Sequence, residues 1–146
     1  MAVKVAINGF GRIGRLVLRA SILNSEAWKE LDFVAVNDIT NADTMAHLLK
    51  YDTIHRTLAS DVSVKNGNLV VNGKEIKVTM EKDPNNLPWK SMGVDIVVES
   101  TGKFTEKEKA LAHINAGAKR VIQACGIVFS PPCWAVPVLQ AITTWR

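Results

Sequence analysis

The chain has 146 residues, of which 47% are hydrophobic and 22% are charged, and its formal net charge is +4. These proportions are typical of one soluble globular domain with a sizeable core. The 18 basic residues are scattered among 14 acidic ones. The excess positive charge therefore does not indicate a nucleic-acid partner, which would need a basic patch.

No segment is typical of a membrane or secreted protein. The longest uncharged stretch, 121–145, is interrupted by prolines and polar residues, which argues against a membrane helix. The N-terminus lacks the apolar run of a signal peptide. Two cysteines, Cys125 and Cys133, are too few for a disulfide framework or a zinc site. We therefore expect a cytoplasmic protein with no membrane or metal partner.

The first part of the chain predicts a strand–helix–strand unit. Residues 3–7 and 31–36 are short apolar runs that end at turn residues, and 12–24 shows helical spacing between them. A connection of this length joins parallel strands. The helix face predicted to be buried consists of Ile13, Leu16, Val17, Ala20 and Leu23.

The middle of the chain predicts a helix followed by an antiparallel meander. The helix over 41–51 is expected to bury Met45, Leu48 and Leu49. Asn-Gly pairs, the strongest short hairpin signal, then separate three alternating runs at 62–64, 69–71 and 76–78.

The last part returns to alternating strands and helices. After a loop at 83–88, a strand is predicted over 94–99 and a turn over 100–102. Thr105 and Glu108 predict a capping box for a helix that ends at Gly117, and another strand begins at 121–122. The expected fold is α/β, a doubly wound and mainly parallel sheet with an antiparallel hairpin insertion.

The strongest functional motif is the Gly-x-Gly-x-x-Gly sequence from Gly9 to Gly14. It follows a predicted strand, opens a predicted helix and precedes an acid, Asp38, at the end of the next strand. This context is the one that a Rossmann-type dinucleotide-binding fold requires. Gly9 permits the turn, Gly11 lets the pyrophosphate approach the backbone, and Gly14 lets helix and strand pack closely. The alternative is a strand-to-helix turn that binds nothing.

Asp38 predicts which dinucleotide is bound. Its carboxylate can accept hydrogen bonds from both hydroxyls of the adenosine ribose. A 2′-phosphate there would place two negative charges close together, at a free-energy cost on the order of a few kcal/mol. NAD is therefore favoured over NADP. The alternative is that Asp38 caps the next helix, although Thr40 or Asn41 is better placed for that.

The turn Ser100–Gly102 is expected to border the same crevice, because ligands of open α/β sheets lie outside the carboxyl ends of the strands. The alternative is an ordinary strand–helix turn.

Several segments resemble the glyceraldehyde-3-phosphate dehydrogenase family, in order and over residues 1–122. They are Val5-Ala-Ile-Asn-Gly-Phe-Gly-Arg-Ile-Gly-Arg15, Val36–Asp38, Leu48–Asp52, Glu99–Gly102 with Phe104, and Gly117–Ile122. The resemblance implies that 1–122 is an NAD-binding domain. It also implies a glycolytic enzyme that oxidises glyceraldehyde 3-phosphate to 1,3-bisphosphoglycerate and works as a homotetramer.

The resemblance also implies roles for single residues. Arg12 and Ile13 would hold the pyrophosphate. Lys82 stands where the family usually has an arginine beside the adenine, and Thr101 faces the same half of the cofactor. Lysine keeps the charge but lacks the planar stacking face of arginine. The complete set of predicted cofactor-binding residues is Asn8, Gly9, Phe10, Gly11, Arg12, Ile13, Gly14, Asn37, Asp38, Lys82, Ser100, Thr101 and Gly102.

Two regions depart from the family pattern. Arg56 stands where the family commonly has a glycine after histidine, which matters if that backbone has a positive φ. Residues 123–126 replace a Ser/Thr-Ala-Pro segment whose hydroxyl helps to hold the nicotinamide side. We expect 123–146 to be an atypical apolar tail rather than a domain.

No residue of this chain is predicted to be catalytic. The family chemistry needs a thiolate and a histidine that activates it. Cys125 and Cys133 lie outside the family's Ser-Cys-Thr-Thr-Asn setting, in an apolar segment without activating positive charge. His47 and His113 in predicted helices, and His55 in a loop, are expected to have surface or capping roles rather than to bind metal.

Two other functions stay open at this point. One is a stand-alone module that binds nucleotides or RNA through the same groove. The other is a fragment of erythrose-4-phosphate dehydrogenase, which has the same architecture.

Overall fold

A computed structural model of the chain describes residues 2–103 and 107–124. The strands within these ranges are β1 Val3–Asn8, β2 Leu31–Asn37, β3 Tyr51–Asp52, β4 Arg56–Thr57, β5 Val62–Lys65, β6 Asn68–Val71, β7 Lys74–Thr79, β8 Ile96–Glu99 and β9 Arg120–Gln123. The helices are α1 Arg12–Leu23, α2 Ser25–Glu30, α3 Ala42–Lys50, α4 Trp89–Met92 and α5 Lys107–Asn115, with a 3-10 turn at Pro84–Asn86.

Seven of the strands form one sheet in the order β5-β6-β7-β2-β1-β8-β9. Strand β1 pairs in parallel with β2 and β8, and the parallel pairing continues to β7 on one side and β9 on the other. Strand β6 pairs antiparallel with both β5 and β7. The sheet is therefore mainly parallel with an antiparallel hairpin insertion, as the sequence predicts.

The hairpin turns follow the chemistry of their Asn-Gly pairs. Asn66 and Asn72 have φ values of 51° and 49°, and the glycines that follow have 77° and 79°. Two successive residues with positive φ make the turn that matches the twist of adjacent antiparallel strands.

The core lies on both faces of the parallel strands, which explains why their sequences are almost continuously apolar. On β1, Val5 and Ile7 join the larger apolar cluster, which also contains residues of α1 and α3. Ala6 belongs to a second cluster with Trp89 of α4 and Val97 of β8. The alternation along β1 therefore divides the core into two layers.

The helices differ from the sequence prediction in two respects. Ile13 and Leu23 of α1 are 40% and 73% exposed, and Leu48 of α3 is exposed as well, so these three are not core residues. Helix α2 is an additional element, capped by the side chain of Asn24. The residues that α1 buries are Gly14, Val17, Leu18, Arg19 and Ser21.

Some predicted features lie outside the described residues. They are Thr105 of the capping box, the side chain of Glu108, both cysteines, and the tail from residue 125 onward. Within the part that is described, no helix is both long and apolar enough to cross a bilayer.

The buried guanidinium of Arg19 fixes the loop that carries Arg56. Its Nη1 donates to the carbonyl of Leu49 at 2.6 Å and its Nη2 to the carbonyl of Arg56 at 2.7 Å. Arg56 has a φ of 58°, which is the left-handed region that favours glycine. The position thus has the positive φ that a glycine there would accommodate without strain.

We expect Arg56→Gly to raise the free energy of unfolding by about 1 kcal/mol, because a left-handed conformation costs an L-residue with a β-carbon roughly that much. Urea denaturation followed by circular dichroism measures the change. Thr57→Gly, the matched control at the next residue, which lacks a positive φ, should instead lower stability. A destabilised Arg56→Gly variant would contradict the expectation.

Candidate functional site

The predicted site residues gather at one edge of the sheet, where the strand order reverses. The chain proceeds from β1 to β2 and β7 on one side, and then crosses to β8 on the other side of β1. Asn8, Asn37 and Glu99 are the last residues of β1, β2 and β8 and lie in register with one another. Ligands of open α/β sheets bind in the crevice at such a reversal.

Two glycines of the motif are required by the close approach of backbones. Gly9 has a φ of 90°, and a β-carbon there would lie 2.6 Å from the Thr101 nitrogen. A β-carbon at Gly14 would lie 2.3 Å from the Gly9 carbonyl oxygen. Both distances are shorter than real carbon contacts, so these glycines let α1, β1 and the turn after β8 pack together.

Gly11 is different, because a β-carbon there would meet no atom within 4 Å. It stands immediately before α1, and no side chain caps the start of that helix. Arg12 and Ile13, in the first turn, are exposed. A helix N-terminus of this kind offers amide hydrogens and partial positive charge to an anion. The open space beside Gly11 leaves the backbone accessible to a phosphate group. Phe10 is buried in the core and anchors the loop.

The carboxylate of Asp38 lies against residues 9–11 between β1 and α1, the glycine loop. Its Oδ2 accepts a hydrogen bond from the Phe10 amide at 2.6 Å. Its Oδ1 accepts from the amide and the hydroxyl of Thr40, both at 3.1 Å. The cap of α3 is Asn41, whose side chain accepts from the Thr44 amide. Asp38 therefore belongs to the loop after β2 and does not cap helix α3.

The turn Ser100–Gly102 is fastened to the glycine loop from the other side. The Ser100 hydroxyl donates to the Gly9 carbonyl at 2.6 Å, so this side chain holds the two loops together. The Thr101 amide donates to Glu99 Oε1 at 2.9 Å, and the Thr101 hydroxyl donates to the same oxygen. Gly102 has a φ of 72° and open space beside it.

A buried polar chain runs beneath the crevice. Asn37 Nδ2 donates to Asn8 Oδ1 at 2.7 Å, and Asn8 Nδ2 donates to Glu99 Oε2 at 2.6 Å. His113 Nε2 lies 2.7 Å from the same Glu99 oxygen. Trp89 Nε1 donates to His113 Nδ1 at 3.1 Å. All five side chains are buried, so each polar group needs the partner that the chain supplies.

Glu99 is the only carboxylate of this polar chain. Burial alone would raise the pKa of Glu99, but hydrogen bonds from His113, Thr101 and Asn8 outweigh it and hold that pKa below its usual value. The group is therefore a carboxylate at neutral pH, with several donors directed at it.

Asn37 extends the polar chain toward β7. Its Oδ1 accepts from the Glu81 amide at 2.9 Å, and its Nδ2 donates to the Glu81 carbonyl at 2.9 Å. The next residue, Lys82, is exposed. Asn37 is thus a positioning residue. It fixes the backbone at Glu81 and thereby the start of the next residue, Lys82.

Sequence reasoning missed several residues of this region. His113 was expected at the surface or in a cap, but it is buried and both of its ring nitrogens have partners. Arg15 donates to the Phe10 carbonyl at 3.0 Å and braces the glycine loop. Ile39 and Met80 are 70% and 63% exposed and lie within two residues of the ends of β2 and β7. Large apolar side chains that lie exposed beside a crevice mark binding surfaces. The apolar residues just after these strands were therefore the available signal in the sequence.

A family model described as the NAD-binding domain of glyceraldehyde 3-phosphate dehydrogenase matches residues 3–107. The chain belongs to the glyceraldehyde-3-phosphate dehydrogenase family. Its matched part is the Rossmann-type NAD-binding domain, which accounts for the glycine loop and the acid after β2.

Three relatives show the extent of the similarity. The chain is 62% identical to the glyceraldehyde-3-phosphate dehydrogenase of Geobacillus stearothermophilus over 122 residues, which are 84% of this chain and 35% of the relative. The identity is 54% over 119 residues with the Thermotoga maritima enzyme, covering 82% and 35%. It is 52% over 122 residues with glyceraldehyde-3-phosphate dehydrogenase A of Escherichia coli K12, covering 84% and 36%. The chain therefore spans roughly a third of the length of these relatives.

Gly11→Val should leave the fold intact and abolish most NAD binding, because its side chain fills the open space beside the start of α1. We expect a dissociation constant at least roughly tenfold higher than that of the wild type, measured by calorimetric titration, with a melting temperature close to wild type.

Gly14→Ala provides the contrast, since its β-carbon has no room and should lower the melting temperature. Normal NAD affinity in Gly11→Val would show that the glycine loop does not hold the pyrophosphate of NAD.

Proposed function

We propose that this domain binds NAD in preference to NADP and that Asp38 is the residue that discriminates between them. The observation that supports this is the hydrogen bond of 2.6 Å between Asp38 Oδ2 and the Phe10 amide, which fixes a carboxylate at the glycine loop. A carboxylate has about four acceptor positions, and three are used within the protein. One position therefore stays open for a ribose hydroxyl, instead of the two hydroxyls that the sequence predicts, whereas a 2′-phosphate meets a like charge.

The other contacts follow from the same placement. Arg12 and Ile13, with Gly11, would hold the pyrophosphate through the start of α1. Lys82 would lie on the adenine side, where its ammonium group attracts the cofactor without stacking on it. Thr101 would border the same half from the turn after β8.

Titration of NAD and NADP into the full chain tests the role of Asp38. We expect NAD to bind at least about tenfold more tightly than NADP, and Asp38→Ala to reduce this ratio toward one. Asp43→Ala removes an equal charge from the first turn of α3 and should leave the ratio unchanged. Equal affinities for the two cofactors in the wild type would contradict the proposal.

We further propose that the domain serves an oxidoreductase that acts on glyceraldehyde 3-phosphate in the cytoplasm, as part of a homotetramer. The relatives named above support the substrate, and the family resemblance supports the assembly. We propose that the domain extends to the end of β9 at Gln123, one residue beyond the boundary predicted at 122, and that the residues after it are an appended apolar tail.

The chain as given is expected not to oxidise glyceraldehyde 3-phosphate, because neither cysteine stands in the family's nucleophile motif. The measurement is NADH formation by purified chain in the presence of aldehyde and phosphate. Activity that is lost specifically in Cys125→Ser or Cys133→Ser would contradict this. Activity that survives both substitutions would come from a contaminating dehydrogenase.

A further inference from the structure

The buried polar chain beneath the crevice connects the turn after β8 to a tryptophan in another layer of the core. Trp89 belongs to α4, His113 to α5 and Glu99 to the end of β8. None of the three belongs to the set expected to touch NAD. All three are buried, so they act on a ligand only through neighbouring residues, of which Thr101 and Asn8 bond the Glu99 carboxylate directly.

The direction of each hydrogen bond is set by the chemistry of the tryptophan. An indole nitrogen can only donate, so His113 Nδ1 accepts from Trp89 and the ring proton lies on Nε2. His113 Nε2 then donates to Glu99 Oε2 across 2.7 Å. Asn8 Nδ2 donates to the same oxygen at 2.6 Å.

The other carboxylate oxygen, Oε1, faces the turn. It accepts from both the amide and the hydroxyl of Thr101. The Glu99 carboxylate is therefore an acceptor in all four of these hydrogen bonds, two from Thr101 and one each from His113 and Asn8. No neutral side chain of the same shape can accept at both oxygens.

We propose that Glu99 is a positioning residue for the dinucleotide: it holds the Ser100–Gly102 turn against the glycine loop, and Trp89, His113 and Asn8 hold Glu99. This inference rests on the proposed NAD-binding function. The margin for error is small, because the space between Thr101 and Gly9 does not admit even one β-carbon. A turn that moves from this position narrows or widens the crevice where the pyrophosphate lies.

Glu99→Gln tests the acceptor requirement with almost no change in shape. Its amide group places a donor against the donors of His113 and Asn8, or else against Thr101. The first arrangement releases the side chain at position 99 from His113 and Asn8, and the second releases Thr101 from that side chain, so either breaks two hydrogen bonds and loosens the hold on the turn. We expect the dissociation constant for NAD to rise about tenfold.

Calorimetric titration of NAD into the full chain compares the wild type, Glu99→Gln and Glu75→Gln. Glu75 is an exposed glutamate of β7, so its substitution controls for the lost charge. We expect Glu75→Gln to bind as the wild type does and Glu99→Gln to bind about tenfold more weakly.

A spectroscopic measurement separates positioning from mere stabilisation. In the wild type, NAD should shift the proton resonance of the Trp89 indole N–H, assigned with Trp89→Phe, although Trp89 is fully buried. An unshifted indole resonance at saturating NAD would overturn the inference, even if Glu99→Gln does not fold. So would Glu99→Gln that binds NAD like the wild type. Failure of the wild type to bind NAD would instead refute the proposed function.

Discussion

The backbones at Gly9 and Thr101 approach so closely that no side chain fits between them. A β-carbon at Gly9 would lie 2.6 Å from the Thr101 nitrogen, and the Ser100 hydroxyl bonds the Gly9 carbonyl at the same place. This contact joins the loops after β1 and β8, between which the strand order of the sheet reverses. This contact therefore sets the width of the crevice and the position at which α1 begins.

Buried hydrogen bonds keep that contact in one geometry. Three neighbouring parallel strands end at Asn37, Asn8 and Glu99. Asn37 donates a hydrogen bond to Asn8, and Asn8 donates one to Glu99. A buried polar group without a partner is costly, so a strand that slipped by one residue would lose several bonds together. The register of the strands and the shape of the crevice therefore depend on the same side chains.

The sequence predicts the parts of this structure that local patterns determine. The Asn-Gly hairpins, the parallel strands and the glycine loop all follow from short signals, and Gly9 and Gly14 have the steric roles that their spacing predicts. Helix α2 was missed because six residues are too few for a periodic pattern. His113 was misplaced because helical position alone does not show that a tryptophan and a glutamate distant in the chain supply its partners. Contacts between residues that are distant in the chain produce no pattern within a short stretch of sequence.

Amide chemical-shift mapping with NAD tests most directly whether the crevice between the β1 and β8 loops holds the dinucleotide. The largest shifts are expected at Gly11, Arg12 and Ile13, where the start of α1 would meet the pyrophosphate, with further shifts at Asp38 and Thr101. Shifts concentrated in the hairpins of β5 and β6, with unchanged resonances at the glycine loop, would contradict this placement.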